Sequence, residues 1–166
     1  AVTETAGTST ASGNVMSAEV KEGVKYKDTV TIGIANDVNN LDPQGSNTDA
    51  NMMVFYLTHE RLVNIDPETN TVIPALATSW TVSDDGCVYD FTLADGVTFT
   101  DGTPLTAEDV KYTYDRAKTS SFAMQKVADV VSTDVIDPTH VRVTLSKANQ
   151  DWLTLMAHGG MSILSK

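Results

Sequence analysis

The sequence has a single cysteine and no long apolar run. Cys87 has no second cysteine to pair with, so an intrachain disulfide is excluded. Its place at the start of an apolar-alternating run predicts a buried, inert thiol. No stretch approaches the ~18 consecutive apolar residues that a membrane-spanning helix needs. These absences exclude a disulfide scaffold and indicate no membrane helix.

Basic residues are also scarce. The chain carries 11 Lys and Arg against 22 Asp and Glu, which gives a net charge of −11. A nucleic-acid partner needs clustered basic residues that neutralise its phosphates, and an anionic membrane surface favours the same clusters. We therefore expect no nucleic acid and no anionic membrane surface as a partner, and we ascribe the acidity to solubility. An apolar content of 41% is typical of a folded domain rather than a disordered chain.

Motifs for catalysis or for cofactor binding are missing. The three histidines, His59, His140 and His158, do not have the spacing of a zinc helix. The glycine-rich dinucleotide and phosphate loops and the nucleophile elbow are absent. The paired acids Asp84 and Asp85 suit a turn better than a general acid–base pair. The sequence therefore predicts no catalytic residue, no metal ligand and no cofactor, and we expect the protein not to be an enzyme.

Composition changes sharply near residue 28. Residues 1–28 are rich in Thr, Ser, Ala and Gly, which favours a flexible tether like those that follow the lipidated cysteine of exported lipoproteins. A cloning remnant with a frayed terminus is the alternative. The chain starts at Ala1 without a basic region, so we expect a processed or recombinant form. The alternation of Val30, Ile32 and Ile34 predicts a strand over 29–35, which needs a sheet partner that no other segment here provides.

The remaining residues predict short helices and antiparallel hairpins. Thr48 or Asp49 caps a helix whose apolar spacing runs to Val63, and Thr106 to Asp109 resembles a capping box. Three Asp-Gly pairs predict turns with positive φ. The predicted elements are a meander of 79–82, 88–93 and 97–100, helices at 107–118, 122–131 and 150–157, and a hairpin over 132–145. Alternation and helical spacing assign Trp80, Tyr89, Phe91, Leu93, Phe99, Val110 and Tyr114 to the core.

Several segments, read in order, resemble one known family. They are Leu41-Asp42-Pro43, His59-Glu60-Arg61-Leu62-Val63 and the run from Pro74 to Val110, which includes Ser79-Trp80, Tyr89-Asp90-Phe91 and Asp101-Gly102-Thr103-Pro104-Leu105. The ordered set over 29–166 is similar to the family 5 extracellular solute-binding proteins, the oligopeptide-, dipeptide- and nickel-binding components of bacterial ABC importers. Cys87 and the pair Ala94-Asp95 depart from the family pattern.

The resemblance implies a fold and a function. Family members are much longer, so the chain is expected to be an N-terminal α+β fragment, with antiparallel hairpins and short helices, of a two-lobed α/β type II periplasmic-binding-protein-like fold. Residues 29–45 would be the first strand and loop of the large lobe, 46–158 an extra α+β subdomain, and 159–166 a return strand. The protein would be a monomer, exported to the periplasm or lipid-anchored at the cell surface. It would capture small peptides or similar solutes and pass them to a membrane permease.

Three stretches approach the ligand cleft according to the family pattern. They supply the predicted substrate-binding residues Ser46, Asn47, Asn51, Phe122, Met161 and Ser162. Each also has a structural interpretation: Ser46 and Asn47 suit a turn or a cap, and Phe122 and Met161 suit packing. The charged groups that clamp peptide termini would lie beyond Lys166.

Two other functions fit parts of the sequence. A self-contained β-rich adhesion or carbohydrate-binding module would explain the acidic Asp-Gly hairpins, but it predicts an exposed aromatic platform. An enzyme with catalytic residues downstream of Lys166 is the second alternative. The identity of the sequence past Lys166 separates this second alternative from a solute-binding protein.

Overall fold

A computed structural model describes residues 29–166, so the predicted tether at 1–28 lies outside the described residues. The helices are α1 (Asp49–Thr58), α2 (Ala107–Ala117) and α3 (Trp152–Met156), followed by a 3₁₀ turn at Gly159–Met161. The strands are β1 (Val63–Ile65), β2 (Val72–Pro74), β3 (Ala77–Val82), β4 (Val88–Leu93), β5 (Val130–Asp137) and β6 (His140–Leu145).

The main sheet has four antiparallel strands in the order β3-β4-β6-β5, and β1 and β2 form a separate two-stranded ribbon. Strand β4 pairs with β6 from Val88 opposite Thr144 to Thr92 opposite His140. Because side chains alternate between faces, Tyr89, Phe91 and Leu93 are buried on one face, as the sequence predicts. The predicted hairpin over 132–145 is confirmed as β5 and β6.

The core lies between this sheet, α2 and α3. The Trp152 ring is fully buried, with its centroid 4.6 Å from that of Tyr89 and 6.4 Å from that of Tyr114. Of the predicted core residues, Tyr114 and Val110 are fully buried, whereas Trp80 and Phe99 are partly buried and pack against the cluster. Trp152 therefore joins α2, α3 and the sheet into one core.

Two predicted helix starts are confirmed. The Thr48 hydroxyl accepts the backbone N–H of Asn51 at the start of α1. At α2, Asp109 Oδ2 accepts the backbone N–H of Thr106 at 2.8 Å and the Thr106 hydroxyl at 3.0 Å. The turns at Gly86, Gly96 and Gly102 have φ of 69°, 73° and 88°, the region that the three Asp-Gly pairs predict.

The strand predicted at 29–35 is not formed in this structure and stays a prediction for a chain that supplies its partner. Residues 29–35 contain no strand, and Val30 and Ile32 are 79% and 52% exposed. A strand needs a neighbour to satisfy its backbone groups, and no other strand among the described residues pairs with this segment. The apolar alternation is present in the sequence, but the described residues contain no strand that pairs with this segment.

Helical predictions fail where local hydrogen bonds favour turns. Helix α1 ends at Thr58, whose hydroxyl bonds back to the Val54 carbonyl, and the chain becomes extended at His59, so that Leu62 and Val63 are buried just beyond the helix. Residues 122–129 form consecutive turns instead of the predicted helix, and residues 130 and 131 already belong to β5. The Ser120 hydroxyl accepts the N–H groups of Phe122 and Ala123, and β-branched residues follow.

Other strand predictions are also corrected. Segment 97–100 is a tight loop with one bridge, Thr98 to Pro104, because Pro104 has no N–H to extend a ladder. The strand that pairs with β4 on the side opposite β3 is therefore β6, not the predicted strand at 97–100. The predicted return strand begins as a 3₁₀ turn, and residues 162–166 have no strand partner among the described residues. Cys87 is half-buried rather than buried.

Candidate functional site

Helix α2 holds the loop that precedes α1. Arg116 Nη1 donates to Asp42 Oδ1 at 2.9 Å, and its second terminal nitrogen donates to the other oxygen of the same carboxylate. Gln44 Nε2 donates to the Thr113 carbonyl at 2.9 Å, and the Ser120 hydroxyl donates to the Gln44 carbonyl. The bidentate pair is strong and directional, so the position of the loop depends on one face of α2.

The same helix also holds the last described residues. The Thr113 hydroxyl accepts the Leu164 N–H at 2.9 Å, and Asp109 Oδ1 accepts the Lys166 N–H at 3.0 Å. The Ile163 N–H donates to the Glu60 carbonyl at 2.8 Å. Asp109 and Thr113 lie one helical turn apart and contact every second residue of the extended segment. Helix α2 therefore anchors both the loop before α1 and the extended segment that follows the Gly159–Met161 turn.

The six residues predicted to contact a solute do not all reach the surface. Asn47 and Phe122 are exposed, whereas Ser46, Met161 and Ser162 are buried. The Ser162 hydroxyl donates to the Gly159 carbonyl at 2.7 Å.

Asn51 is fully buried, and its amide bonds within the protein. Its oxygen accepts the Thr48 hydroxyl at 3.0 Å, and its nitrogen donates to the Asn39 side chain at 3.1 Å and to the Asn40 carbonyl. Asn51 therefore braces the loop in this structure. Solute contact by any of the six residues stays a prediction.

The three predicted stretches nevertheless converge. A methyl group placed on Gly159 would lie 3.1 Å from Met52 Sδ and 3.6 Å from Tyr56 Cζ, and one on Gly160 would lie 3.3 Å from the Pro43 carbonyl. The turn at Gly159–Met161 therefore packs directly on α1 and on the loop.

Phe122 faces the same loop across a groove of about 260 Å³. The residues that line this groove are Asp42, Gln44, Gly45, Arg116 and 119–122. The loop is thus the common neighbour of all three predicted stretches.

A larger groove of about 450 Å³ lies on the other side of the extended segment. It is lined by Leu76, Leu105 and the ranges 58–60, 96–100 and 163–165. The sequence analysis did not identify this groove, because it predicted a strand at 97–100, where the structure has a loop. The partly buried Val97 and Phe99 in a glycine-flanked loop are the signal that could have indicated it.

Three titratable side chains, Asp42, His59 and His158, have pKa values below their usual range. Hydrogen bonding from Arg116 lowers the pKa of the Asp42 carboxyl below its usual range. Burial lowers the pKa of His59, and the positive charge of Arg61 lowers it further. Burial, followed by the charges of Lys126 and Arg61, lowers the pKa of His158.

The described residues contain no cluster of three or more His, Cys, Asp or Glu side chains with a metal-binding arrangement. Within residues 29–166, no helix combines the length and apolar character that crossing a membrane requires.

Comparison with known proteins agrees with this architecture. Residues 71–165 match the family model of the bacterial extracellular solute-binding proteins, family 5 Middle. The glutathione-binding protein GsiB of Escherichia coli K12 is 30% identical over 139 residues, which are 82% of this chain and 27% of GsiB.

Solved structures show the same fold. NikZ from Campylobacter jejuni, in complex with Ni(L-His), is 30% identical with a TM-score of 0.67, over 79% of this chain and 26% of NikZ. The Escherichia coli murein tripeptide binding protein MppA is 25% identical with a TM-score of 0.68, over 76% of this chain and 28% of MppA.

The match covers most of this chain but only a part of each relative. The chain spans about a quarter of the length of GsiB, NikZ and MppA. Its antiparallel sheet and short helices form part of a type II periplasmic-binding-protein fold, as the sequence predicts. The family binds solutes and is not catalytic. With more than half of its residues matched by the family model, the chain belongs to the family 5 bacterial extracellular solute-binding proteins.

Proposed function

We propose that these residues act within the substrate-binding component of an ABC importer, which captures small peptides or similar solutes outside the cytoplasmic membrane. The observation that carries the proposal is the convergence of the loop at 39–48, α1, the Gly159–Met161 turn and Phe122. Relatives that include a glutathione-binding protein and a murein tripeptide binding protein support a peptide-like solute.

The physical role of these residues is to provide one wall of a cleft. A small molecule binds tightly when about 70–90% of its surface is buried, and an open wall leaves its polar groups in contact with water. Closure of a second lobe over the solute removes that water and strengthens each hydrogen bond. A closed form that only the solute stabilises is what the transporter can distinguish from the open form.

The remaining details of the proposal follow the resemblance. Ser46, Asn47, Asn51, Phe122, Met161 and Ser162 are the proposed solute-facing set, with the buried members reached once the loop moves. The protein works as a monomer, is exported to the periplasm or lipid-anchored at the cell surface, and delivers its solute to a membrane permease. It uses no cofactor.

The alternative of an adhesion or carbohydrate-binding module is not supported. That function predicts an exposed aromatic platform, but Tyr89 and Phe91 are buried and Trp80 packs on Phe91 with a ring distance of 6.3 Å. The matching family model and the relative GsiB are both those of solute-binding proteins.

Calorimetric titration tests the proposal. The natural-length gene product that contains these residues, and the 166-residue chain alone, are titrated with glutathione, di- and tripeptides and Ni(L-His). We expect micromolar binding of at least one solute by the natural-length protein, and at least 100-fold weaker binding by the chain alone. Micromolar affinity corresponds to about 8 kcal/mol, more than a few exposed hydrogen bonds of about 1 kcal/mol each supply. Micromolar binding by the chain alone would establish a self-contained module instead.

A further inference from the structure

The three Asp-Gly pairs of this chain, Asp85-Gly86, Asp95-Gly96 and Asp101-Gly102, share a chemical reactivity. In an Asp-Gly pair the backbone nitrogen of the glycine can attack Cγ of the aspartic acid. A C–N bond forms, the carboxyl hydroxyl leaves as water with the amide proton, and a five-membered succinimide results. Water then opens the ring at either carbonyl, which restores aspartate or yields isoaspartate. Since glycine has no side chain to hinder the attack, local geometry decides which pair reacts.

The attacking nitrogen is already engaged in two of the pairs. The Gly86 N–H donates to the Ser83 carbonyl at 2.8 Å, and the Gly102 N–H donates to the Phe99 carbonyl at 2.9 Å. Each of these N–H groups is therefore directed at a carbonyl three residues back instead of at the carboxyl group before it. Attack in either pair first requires the loss of a turn hydrogen bond.

The carboxyl groups of the same two pairs are also held. Asp85 Oδ1 accepts the Ser83 hydroxyl and the Cys87 N–H, the latter at 3.0 Å. Asp101 Oδ1 accepts the Thr103 hydroxyl at 2.7 Å and the Thr103 N–H at 2.9 Å. These hydrogen bonds lower the pKa of both carboxyl groups. Because the reaction needs the protonated carboxyl group, whose hydroxyl leaves as water, a lowered pKa slows it.

The pair Asp95-Gly96 has the opposite arrangement. The Gly96 N–H donates to Asp95 Oδ1 at 2.9 Å, so the attacking nitrogen lies beside the carboxyl group that it attacks. Among residues 29–166 this carboxylate has no other hydrogen-bond partner within the protein. Both residues are exposed, and a methyl group placed on Gly96 would meet no atom within 4 Å. The loop therefore has room for the succinimide ring.

We propose that Asp95 is a site of spontaneous isoaspartate formation in the folded protein, and that their turns protect Asp85 and Asp101. The conversion routes the main chain through Cβ and Cγ, which lengthens the backbone by one carbon. Residues 96–100, which follow the site, line the larger groove, and the Ala94 N–H before it donates to the Leu76 carbonyl at 2.8 Å. Isomerisation at Asp95 therefore alters one wall of that groove. The inference does not depend on the identity of the solute.

Ageing of the 166-residue chain tests the site. The chain is incubated at physiological temperature and mildly acidic pH and digested with endoproteinase Asp-N, which does not cleave before isoaspartate. Mass spectrometry then identifies the uncut sites and the succinimide, which has lost one water. We expect isoaspartate to accumulate at residue 95 at least tenfold faster than at residues 85 and 101. In concentrated urea the turns are lost, and the three sites should react at similar rates because they share the Asp-Gly sequence.

Two variants test the geometric explanation. Thr103→Val removes the hydroxyl that holds Asp101, and it should speed isomerisation at residue 101 at least threefold without changing the rate at residue 95. Asp95→Glu should abolish the signal at residue 95, because the corresponding six-membered ring forms far more slowly. Equal rates at the three sites of the folded chain, or the same preference for residue 95 in urea, would overturn the proposal. An unchanged rate at residue 101 in Thr103→Val would overturn the protective role of the carboxylate hydrogen bonds.

Discussion

Single residues in this protein decide where whole segments lie. Asp42 and Arg116 are separated by 74 positions, yet their bidentate pair joins the loop before α1 to the end of α2. The sequence analysis named Asp42 only as part of the Leu41-Asp42-Pro43 motif, because a contact over such a separation leaves no local pattern. Asn51 is the converse case: its candidacy as a ligand residue came from the family pattern, and the structure shows that its amide bonds hold the loop.

We predict that Asp42→Asn lowers the free energy of unfolding by about 1 kcal/mol at pH 7, since the pair is bidentate but half-exposed. Hydrogen bonding from Arg116 lowers the pKa of Asp42 in the folded protein below the usual carboxyl value of 3.8. A group with a lowered folded pKa stabilises the protein fully above its unfolded pKa, and that stabilisation is lost as the pH falls through the folded pKa. Urea unfolding of both proteins at several pH values should therefore show a difference that is constant near neutrality and shrinks below about pH 4.

The matched control is Asp90→Asn. Asp90 makes an equally short bidentate pair with Arg142, but it joins β4 to β6, which the sheet already pairs. Only Asp42→Asn should speed amide exchange in the loop at 39–48. Equal exchange in that loop for both variants would show that the Arg116 contact does not position it.

At the level of elements, the sequence is informative where a local period and a local cap coincide. Helix α2 and the β5–β6 hairpin appear where apolar spacing, an acidic cap and a turn at Asp137-Pro138 predict them. Prediction fails at 97–100 and at 122–131, where one proline or one serine hydroxyl redirects the backbone. The order of strands in the sheet also lies beyond local patterns, since β4 pairs with a strand about 50 positions away.

We predict that Asp109→Ala destabilises the protein by more than Thr106→Ala does. Loss of a helix cap costs about 0.5–2 kcal/mol, and Thr106→Ala should fall at the low end because the backbone N–H of residue 106 still bonds to Asp109. Asp109→Ala should reach about 2 kcal/mol, because the buried carboxylate also holds the Lys166 N–H. Thermal and urea unfolding of the two variants measure the difference.

Asp151→Ala serves as the control for that comparison. Asp151 precedes α3 and makes no side-chain capping hydrogen bond, so its replacement should change stability by less than about 0.5 kcal/mol. If Asp109→Ala were no more destabilising than Asp151→Ala, neither the cap nor the anchor at Lys166 would contribute to stability.

At the scale of the whole molecule, the chain is one part of an architecture that its relatives complete. The alignment with GsiB includes 82% of this chain but only 27% of GsiB. Its sheet and α2 form the core and hold the segments that carry the proposed solute-binding residues. Residues 29–35 present an apolar alternation to solvent. The division of the chain into large-lobe and subdomain residues stays a prediction, because no contact among the described residues gives 29–35 a partner strand.

Our last prediction concerns those residues. If 29–35 is the first strand of the large lobe, it should pair with a strand supplied by the natural-length protein, because unpaired strand edges and exposed Val30 and Ile32 side chains are both unfavourable. Hydrogen exchange measured by mass spectrometry should then show amides at 29–35 exchanging at least 100-fold more slowly in the natural-length protein than in the 166-residue chain. Strand β4, which is paired on both sides, should be protected equally in the two proteins and serves as the internal control. Equally fast exchange at 29–35 in both would show that the segment is a connecting loop, and that its apolar alternation has a cause other than strand pairing.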